Sequence, residues 1–439
     1  MKQIDFAKYH ERLDSADTLE YVGKVKRIVG LGIASTGPMA DIGTLCRVYR
    51  KQGDERFINA EIMGFSDNMM LLMPYGDLRG IGIGSRVVST KRPLEVALSD
   101  GLTGRVLDGL GNPIDSDEPR SIERYRSVEA EPPNPLTRGG IVSPIHLGVR
   151  CMDAMLTCGQ GQRIGIFAGS GVGKSTLLGM IARNSGADVN VIALVGERGR
   201  EVKEFLDNDL KQEGLRRSVV VVATSDQPAL VRVKAALVAT TIAEYYRDQG
   251  KRVLLMMDSL TRFAMAQREV GLAVGEPPVA RGYTPSVLAM LPRLLERTGC
   301  SERSSITAIY TVLVEGDEMN EPISDAVRGI LDGHVVLSRR LASANHYPAI
   351  DVLSSVSRVM PGIVSREHLD AASEIRDLLA VYDEARDLIN IGAYKPGSNP
   401  RIDRAIARND EINRFLRQGV DEKGSYEDTI DELIRLARP

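Results

Sequence analysis

Residues 163–182 read Arg163-Ile164-Gly165-Ile166-Phe167-Ala168-Gly169-Ser170-Gly171-Val172-Gly173-Lys174-Ser175-Thr176-Leu177-Leu178-Gly179-Met180-Ile181-Ala182. The opening residues form a short apolar run of strand character, and the residues from Thr176 onward have the composition of the first turns of a helix. Strand, glycine-rich loop and helix is the context that a phosphate-binding loop requires. Gly169, Gly171 and Gly173 let the backbone bend so that successive N–H groups face phosphate oxygens. The helix N-terminus adds partial positive charge. Ala168, Gly169, Ser170, Gly171, Val172, Gly173, Lys174, Ser175 and Thr176 are therefore the candidate cradle for a nucleoside triphosphate. In such a cradle Lys174 reaches the β- and γ-phosphates and the Ser175 hydroxyl sits on Mg2+. The strict pattern begins with glycine where this chain has Ala168, which is small enough for the loop to form.

Two further signals follow. Arg252-Val253-Leu254-Leu255-Met256-Met257-Asp258 is an apolar strand ending in a carboxylate. At the carboxyl edge of a sheet Asp258 can hold the Mg2+ coordination shell, usually through water. Gly196-Glu197-Arg198-Gly199-Arg200-Glu201 directly follows the apolar run Asn190–Val195. The carboxyl end of a central strand is where ligands lie in open parallel sheets. A carboxylate there orients and polarises the water that attacks the γ-phosphate. Glu197 is the candidate catalytic carboxylate, with Arg198 beside it in the candidate catalytic set. A solvated charge cluster opening a helix is the alternative reading of the same run.

A chain of 439 residues is expected to hold roughly two to four domains. Hydrophobic content of 43% and charged content of 26% are those of a soluble globular protein. A net charge of -3 gives no support to a general nucleic-acid binder. The four cysteines include no C-x-x-C pair and the five histidines form no metal-ligand spacing with them, which points to free thiols in a reducing compartment. The N-terminus lacks an apolar stretch of signal-peptide length, and no run of about 18 apolar residues occurs. The expectation is a cytoplasmic protein, peripheral to a membrane at most.

Character shifts divide the chain. Residues 1–18 place Phe6, Tyr9 and Leu13 on one face of a short helix, either packed on the chain's own body or serving as a partner-binding arm. Residues 19–92 carry the β-rich runs Tyr21–Val29, Leu45–Tyr49, Phe57–Met63, Met69–Met73 and Arg86–Thr90, separated by turns, and predict a small antiparallel barrel. Its scattered aromatics do not form a stacking platform for oligonucleotides, so a structural or oligomer-forming role is expected. Gly101–Asp115 reads as strand, Gly-Asn-Pro turn and strand. The loop with Pro132-Pro133-Asn134-Pro135 is too proline-rich for a helix or central strand. Residues 93–365 form the third segment. Within it, Ile164–Phe167, Asn190–Val195, Val219–Ala223, Val253–Met257, Ile306–Val314 and His334–Leu337 alternate with helical stretches and predict an α/β fold with a mainly parallel, doubly covered sheet. Residues 366–439 read as helical. Asn399-Pro400 is a cap with a first-turn proline, and Ser425-Tyr426-Glu427-Asp428 resembles a capping box with Asp as its weaker third-position member.

The ordered set of Phe167–Ser175, Val195–Val202, Met257–Arg262, Gly101–Asp115 and Pro348–Ser357 resembles the α/β family of rotary ATPases. Gly275–Pro278, Gly282–Leu295, Glu315–Gly333 and Leu388–Tyr394 make the chain most similar to the flagellum-specific type III export branch. The resemblance covers nearly the whole chain. It implies a RecA-like P-loop NTPase core at 93–365, an N-terminal β-barrel at 19–92, a C-terminal helical domain at 366–439, and ATP and Mg2+ as substrate and cofactor. Tyr347 matches the residue that stacks on adenine, for which an aromatic face is suited. Arg358, directly after Ser355-Val356-Ser357, matches an arginine finger that serves the neighbouring subunit's site.

The same resemblance implies a homohexameric ring with interface sites that energises export of flagellar proteins. Implied partners are a regulatory stator-like protein at the N-terminal arm, a central stalk protein, export chaperone–substrate complexes and the membrane export gate, with no specific nucleic acid. The implied location is the cytoplasmic face of the inner membrane. Residues 271–284, rich in Gly and Pro, can face a central pore or be an ordinary surface connection. Alternatives are the ATPase of a virulence injectisome, a RecA-type hexameric RNA helicase, which the acidic balance opposes, and a non-catalytic nucleotide-binding subunit, which Glu197 and Arg358 oppose.

Overall fold

A computed structural model describes residues 21–50, 55–116, 121–314 and 321–438. The residues 1–18 of the expected arm lie outside these, as do residues 315–320 within the stretch Glu315–Gly333. The chain divides into two compact units, Met1–Leu94 and Glu95–Pro439.

The first unit is a closed antiparallel barrel. Its strands are β1 (Val22–Val29), β2 (Gly32–Ser35), β3 (Leu45–Tyr49), β4 (Phe57–Ser66), β5 (Met69–Pro74) and β6 (Arg86–Ser89), in the order β1-β2-β5-β4-β3-β6. Period-two alternation turns Cys46 and Val48, then Ile58, Ala60 and Ile62, into one apolar core with Val25, Ile33, Leu72 and Val87. The sequence reading missed β2, a short Gly-Ile-Ala-Ser run entered through Gly30 at φ 57°. That strand is what links β1 to β5.

The second unit is built on a nine-stranded sheet. Its strands are β8 (Val106–Asp108), β12 (Arg163–Ala168), β13 (Val189–Val195), β14 (Ser218–Ala223), β15 (Val253–Asp258), β16 (Gly299–Cys300), β17 (Ser305–Leu313), β18 (Gly333–Leu337) and β19 (Ile350–Ser357). Four smaller strands pair outside it: β7 (Glu95–Leu98) with β9 (Arg124–Ser127), and β10 (Pro144–Ile145) with β11 (Cys158–Gly159). The main order is β19-β18-β12-β17-β15-β13-β14-β8, with β16 on the side of β17. Every neighbouring pair along it is parallel except β18–β19. All six expected strands are present, and β13, β14 and β15 are buried at every residue, as continuous apolar runs in a covered parallel sheet should be.

Gly101–Asp115 departs from strand-turn-strand. Only Val106–Asp108 is a strand, and its return is a single antiparallel bridge, Leu107 to Pro113. The Asp108 carboxylate accepts from the Leu110 and Asn112 backbone N–H groups, which closes the turn locally.

Helices Arg366–Asn390, Pro400–Leu416 and Tyr426–Ala437 complete the chain. Asn399 caps the second, accepting from Arg401 N–H, with Pro400 in its first turn. Ser425 caps the third by accepting from Asp428 N–H, while its own hydroxyl donates to the Asp428 carboxylate. Ile375, Leu378, Ile412, Phe415 and Leu433 from these helices share one apolar cluster with the sheet residues Ile164, Ile166 and Val335. The four cysteines are free thiols.

Candidate active site

The strand β12 ends at Ala168, and helix Lys174–Asn184 begins with Gly173 as its cap. Gly171 and Gly173 hold φ of 77° and 86°, which side chains with a Cβ rarely adopt. A Cβ at Gly173 would also stand 3.3 Å from the Tyr347 ring. The loop needs glycine there twice over.

Three strand ends converge beside this loop. Adjacent pairing of β13 with β15 sets Leu194 opposite Asp258. Glu197 therefore emerges next to the carboxylate that closes β15. Lys174 Nζ donates to Asp258 Oδ1 and lies 3.6 Å from Glu197 Oε1. Asp258, buried, also accepts from the Thr311 hydroxyl at 2.7 Å. A cleft of about 480 Å³ runs over these groups, lined among others by Gly169, Lys174, Ser175, Glu197, Asp258 and Arg262.

Two carboxylates, Glu197 and Asp258, share the single ammonium of Lys174. Burial raises the Glu197 pKa from 4.5 to about 7, the Lys174 charge opposes that rise, and the Asp258 charge adds to it. One Glu197 oxygen is buried without a hydrogen-bond partner, and so is Arg262 Nε. Buried orphan groups of both signs are costly in an apolar wall and are suited to a charged, oxygen-rich ligand. Arg198 points outward and pairs with Glu201 at 3.1 Å, so it lies on the rim of the cleft. The Glu201 carboxylate accepts in turn from Arg198 N–H at 3.4 Å and caps helix Gly199–Glu204.

A second cleft, of about 650 Å³, adjoins the first through Gly171, Gly173 and Thr176. Tyr347, Pro348, Gln418, Gly419 and Val420 are among the residues that line it. Tyr347 is 41% exposed, leaving its ring available to a flat ligand.

Arg358 stands elsewhere. Ala168 pairs with Leu337, whereas Ser357 pairs with Gly333 at the other end of β18. That separation is roughly 13 Å of strand, directed away from the loop. The Arg358 guanidinium donates to Leu331 O at 3.0 Å and to Arg328 O at 3.4 Å. It is not part of the cleft formed by its own chain.

Two groups escaped the sequence reading. Arg262 lay in the quoted run Met257–Arg262 but received no role, although its position at the end of that run was a usable signal. Gln418–Val420 carry no motif, and only the tertiary fold brings them to Tyr347.

The chain is similar to known proteins over nearly its whole length. Residues 148–357 match the ATP synthase alpha/beta family, nucleotide-binding domain, and residues 364–435 match the T3SS EscN ATPase C-terminal domain. A flagellum-specific ATP synthase of Bacillus subtilis (strain 168) is 56% identical over 425 residues, covering 97% of this chain and 97% of that protein. A type 3 secretion system ATPase of Xanthomonas euvesicatoria is 52% identical over 414 residues, covering 94% and 93% respectively. The assembled ATPase EscN of the enteropathogenic E. coli type III secretion system superposes with a TM-score of 0.88 at 48% identity, covering 95% of this chain and 100% of that one. With nucleotide-binding and C-terminal models matched in order and near full-length relatives above half identity, the chain belongs to the ATP synthase alpha/beta family, as an ATP-hydrolysing enzyme of its flagellum-specific, type III secretion branch.

Proposed function

We propose that this chain completes its ATPase sites only between subunits of a ring, and that hydrolysis there energises flagellar protein export. One observation carries the first half: Lys174, Glu197 and Asp258 lie at one edge of the sheet, and Arg358 lies at the other. An arginine finger is worth about 10³ to 10⁵ in rate, and Arg358 lines neither of the two clefts of its own chain.

The backbone of Gly169–Gly173 cradles the phosphates, and Lys174 turns from Asp258 to the β- and γ-oxygens. The hard oxygens of Ser175 and Asp258 fit Mg2+ in the cleft. Bound there, Mg2+ neutralises phosphate charge. Glu197 holds the attacking water and takes its proton. Tyr347 stacks on the adenine. Arg198 orders the rim through Glu201. Arg358 of the neighbouring subunit meets the γ-phosphate.

EscN, similar over nearly the whole chain, has been solved assembled and with its central stalk EscO. For this chain the reading is a homohexamer that takes a central stalk protein. Its further partners are a stator-like regulator on residues 1–18, chaperone–substrate complexes and the membrane export gate. No described helix is long and apolar enough to cross a membrane, and the working place is the cytoplasmic face of the inner membrane.

The test mixes two inactive variants, Glu197→Gln and Arg358→Ala, at high protein concentration and follows phosphate release. Recovered turnover is expected, because one interface in the mixture pairs an intact Glu197 with an intact Arg358. Silence in rings shown to be mixed would sink the shared-site mechanism.

A further inference from the structure

Part of the wall of the second cleft, beside Tyr347, is a loop, Arg417–Glu422, that follows helix Pro400–Leu416. A loop has little geometry of its own and takes its position from what holds it. Arg183 donates to Val420 O at 2.8 Å and Lys211 pairs with Asp421 at 2.6 Å at the far end of the loop, and its near end is held by Arg150, the first residue of helix Arg150–Met155. Its backbone N–H donates to Gln418 Oε1 at 2.7 Å. Its guanidinium donates to Phe415 O at 3.2 Å and Arg417 O at 3.1 Å, and pairs with the Glu422 carboxylate. It also lies 5.9 Å from the centre of the Phe415 ring. The last carbonyls of a helix lack intrahelical donors, and a planar fork satisfies two of them while closing an ion pair.

Gln418 passes this constraint to the cleft. Its side chain is 7% exposed and fully engaged: Nε2 donates to Gly148 O at 3.1 Å and to Glu422 O at 3.0 Å. Its backbone N–H donates to Tyr347 O at 3.0 Å. The Arg150 N–H bond to Gln418 persists with any side chain at position 150, so the guanidinium reaches the cleft through Arg417 O and the Glu422 carboxylate, on either side of Gln418. None of the groups that Arg150 touches lines the phosphate cleft.

We propose that Arg150 is a positioning residue for nucleotide-base binding, holding the C-terminal loop Arg417–Glu422 at the distance from Tyr347 that a base requires. The proposal rests on Tyr347 being the base-stacking residue. Arg150 acts on affinity for the nucleoside half of ATP and leaves the phosphate half alone.

The experiment measures KM for ATP, kcat, and inhibition by inorganic tripolyphosphate, which has phosphates and no base. Arg150→Gln is expected to raise KM for ATP about tenfold, with kcat within about twofold and tripolyphosphate inhibition unchanged. Arg150→Lys keeps the charge for Glu422 but loses the fork, and is expected between the two. Loss of both ATP and tripolyphosphate affinity, or an unchanged KM for ATP, overturns the proposal. Tyr347→Ala separates the two levels: if it leaves KM for ATP unchanged, the base-site reading itself is wrong. If Tyr347→Ala raises KM and Arg150→Gln does not, only the role of Arg150 fails. Should Arg150→Gln not fold, Arg150→Lys carries the test: a raised KM for ATP with unchanged tripolyphosphate inhibition supports the proposal, and an unchanged KM for ATP overturns it.

Discussion

At the scale of single residues the decisive quantity is the charge on Glu197. Burial lifts its pKa to about 7, because the cleft wall hydrates a carboxylate poorly and Asp258 repels it, while Lys174 offsets only part of this. A base works ionised, and kcat/KM reports the free enzyme. The sign follows: kcat/KM should climb as pH rises towards 7 and level off above it. On the acid side the slope should approach about tenfold per pH unit. A flat profile from pH 5 to 8 would remove Glu197 as the base. Most of this site was legible residue by residue, because Lys174, Ser175, Glu197 and Asp258 sit in runs whose chemistry fixes their spacing. Arg150 and Gln418 were not, because each works through main-chain groups far away in sequence, and a hydrogen bond to a carbonyl leaves no pattern in side-chain identity.

At the scale of elements, helix Lys174–Asn184 lies against the segment that trails Glu197. A Cβ on Gly179 would stand 2.7 Å from both the side chain and the carbonyl of Asp209, in the π-helical turn Phe205–Leu210. Backbone at that distance has to move. Gly179→Ala is therefore expected to cost about 1–3 kcal/mol of stability, read as a lower thermal midpoint. Because Val202 and Phe205 line the phosphate cleft, turnover should fall as well. A variant with wild-type melting would mean that the turn yields freely. Strands were legible where they were continuous apolar runs, as in β13, β14 and β15. β19 was not, since Ile350-Asp351-Val352-Leu353-Ser354-Ser355-Val356-Ser357 mixes exposed and buried positions without regular alternation. An antiparallel edge strand is paired on one side only, so the strand periodicity that burial imposes is weaker there.

At the scale of the whole molecule, the proposed mechanism has each subunit contribute both a cleft and an arginine. Activity per milligram should then rise with protein concentration as assemblies form, and Arg358→Ala should stay low at every concentration. Specific activity independent of concentration from dilute to dense solution, with subunits shown to separate on dilution, would contradict this. The barrel, the parallel sheet and the helical C-terminus were all readable as blocks. What the one-dimensional sequence hid was that the C-terminal helices share the core of the sheet instead of standing apart.

The placement of Lys174 and Arg358 at opposite edges of one sheet makes the subunit directional, like a link with a hook at one end and an eye at the other. An open arc of such links always leaves one eye without a hook and one hook without an eye. Only closure supplies every site, so a partly built assembly wastes less ATP than its number of subunits would suggest. On the proposed shared-site mechanism, the sheet that positions the phosphate loop would make completeness of the ring a condition for full fuel consumption.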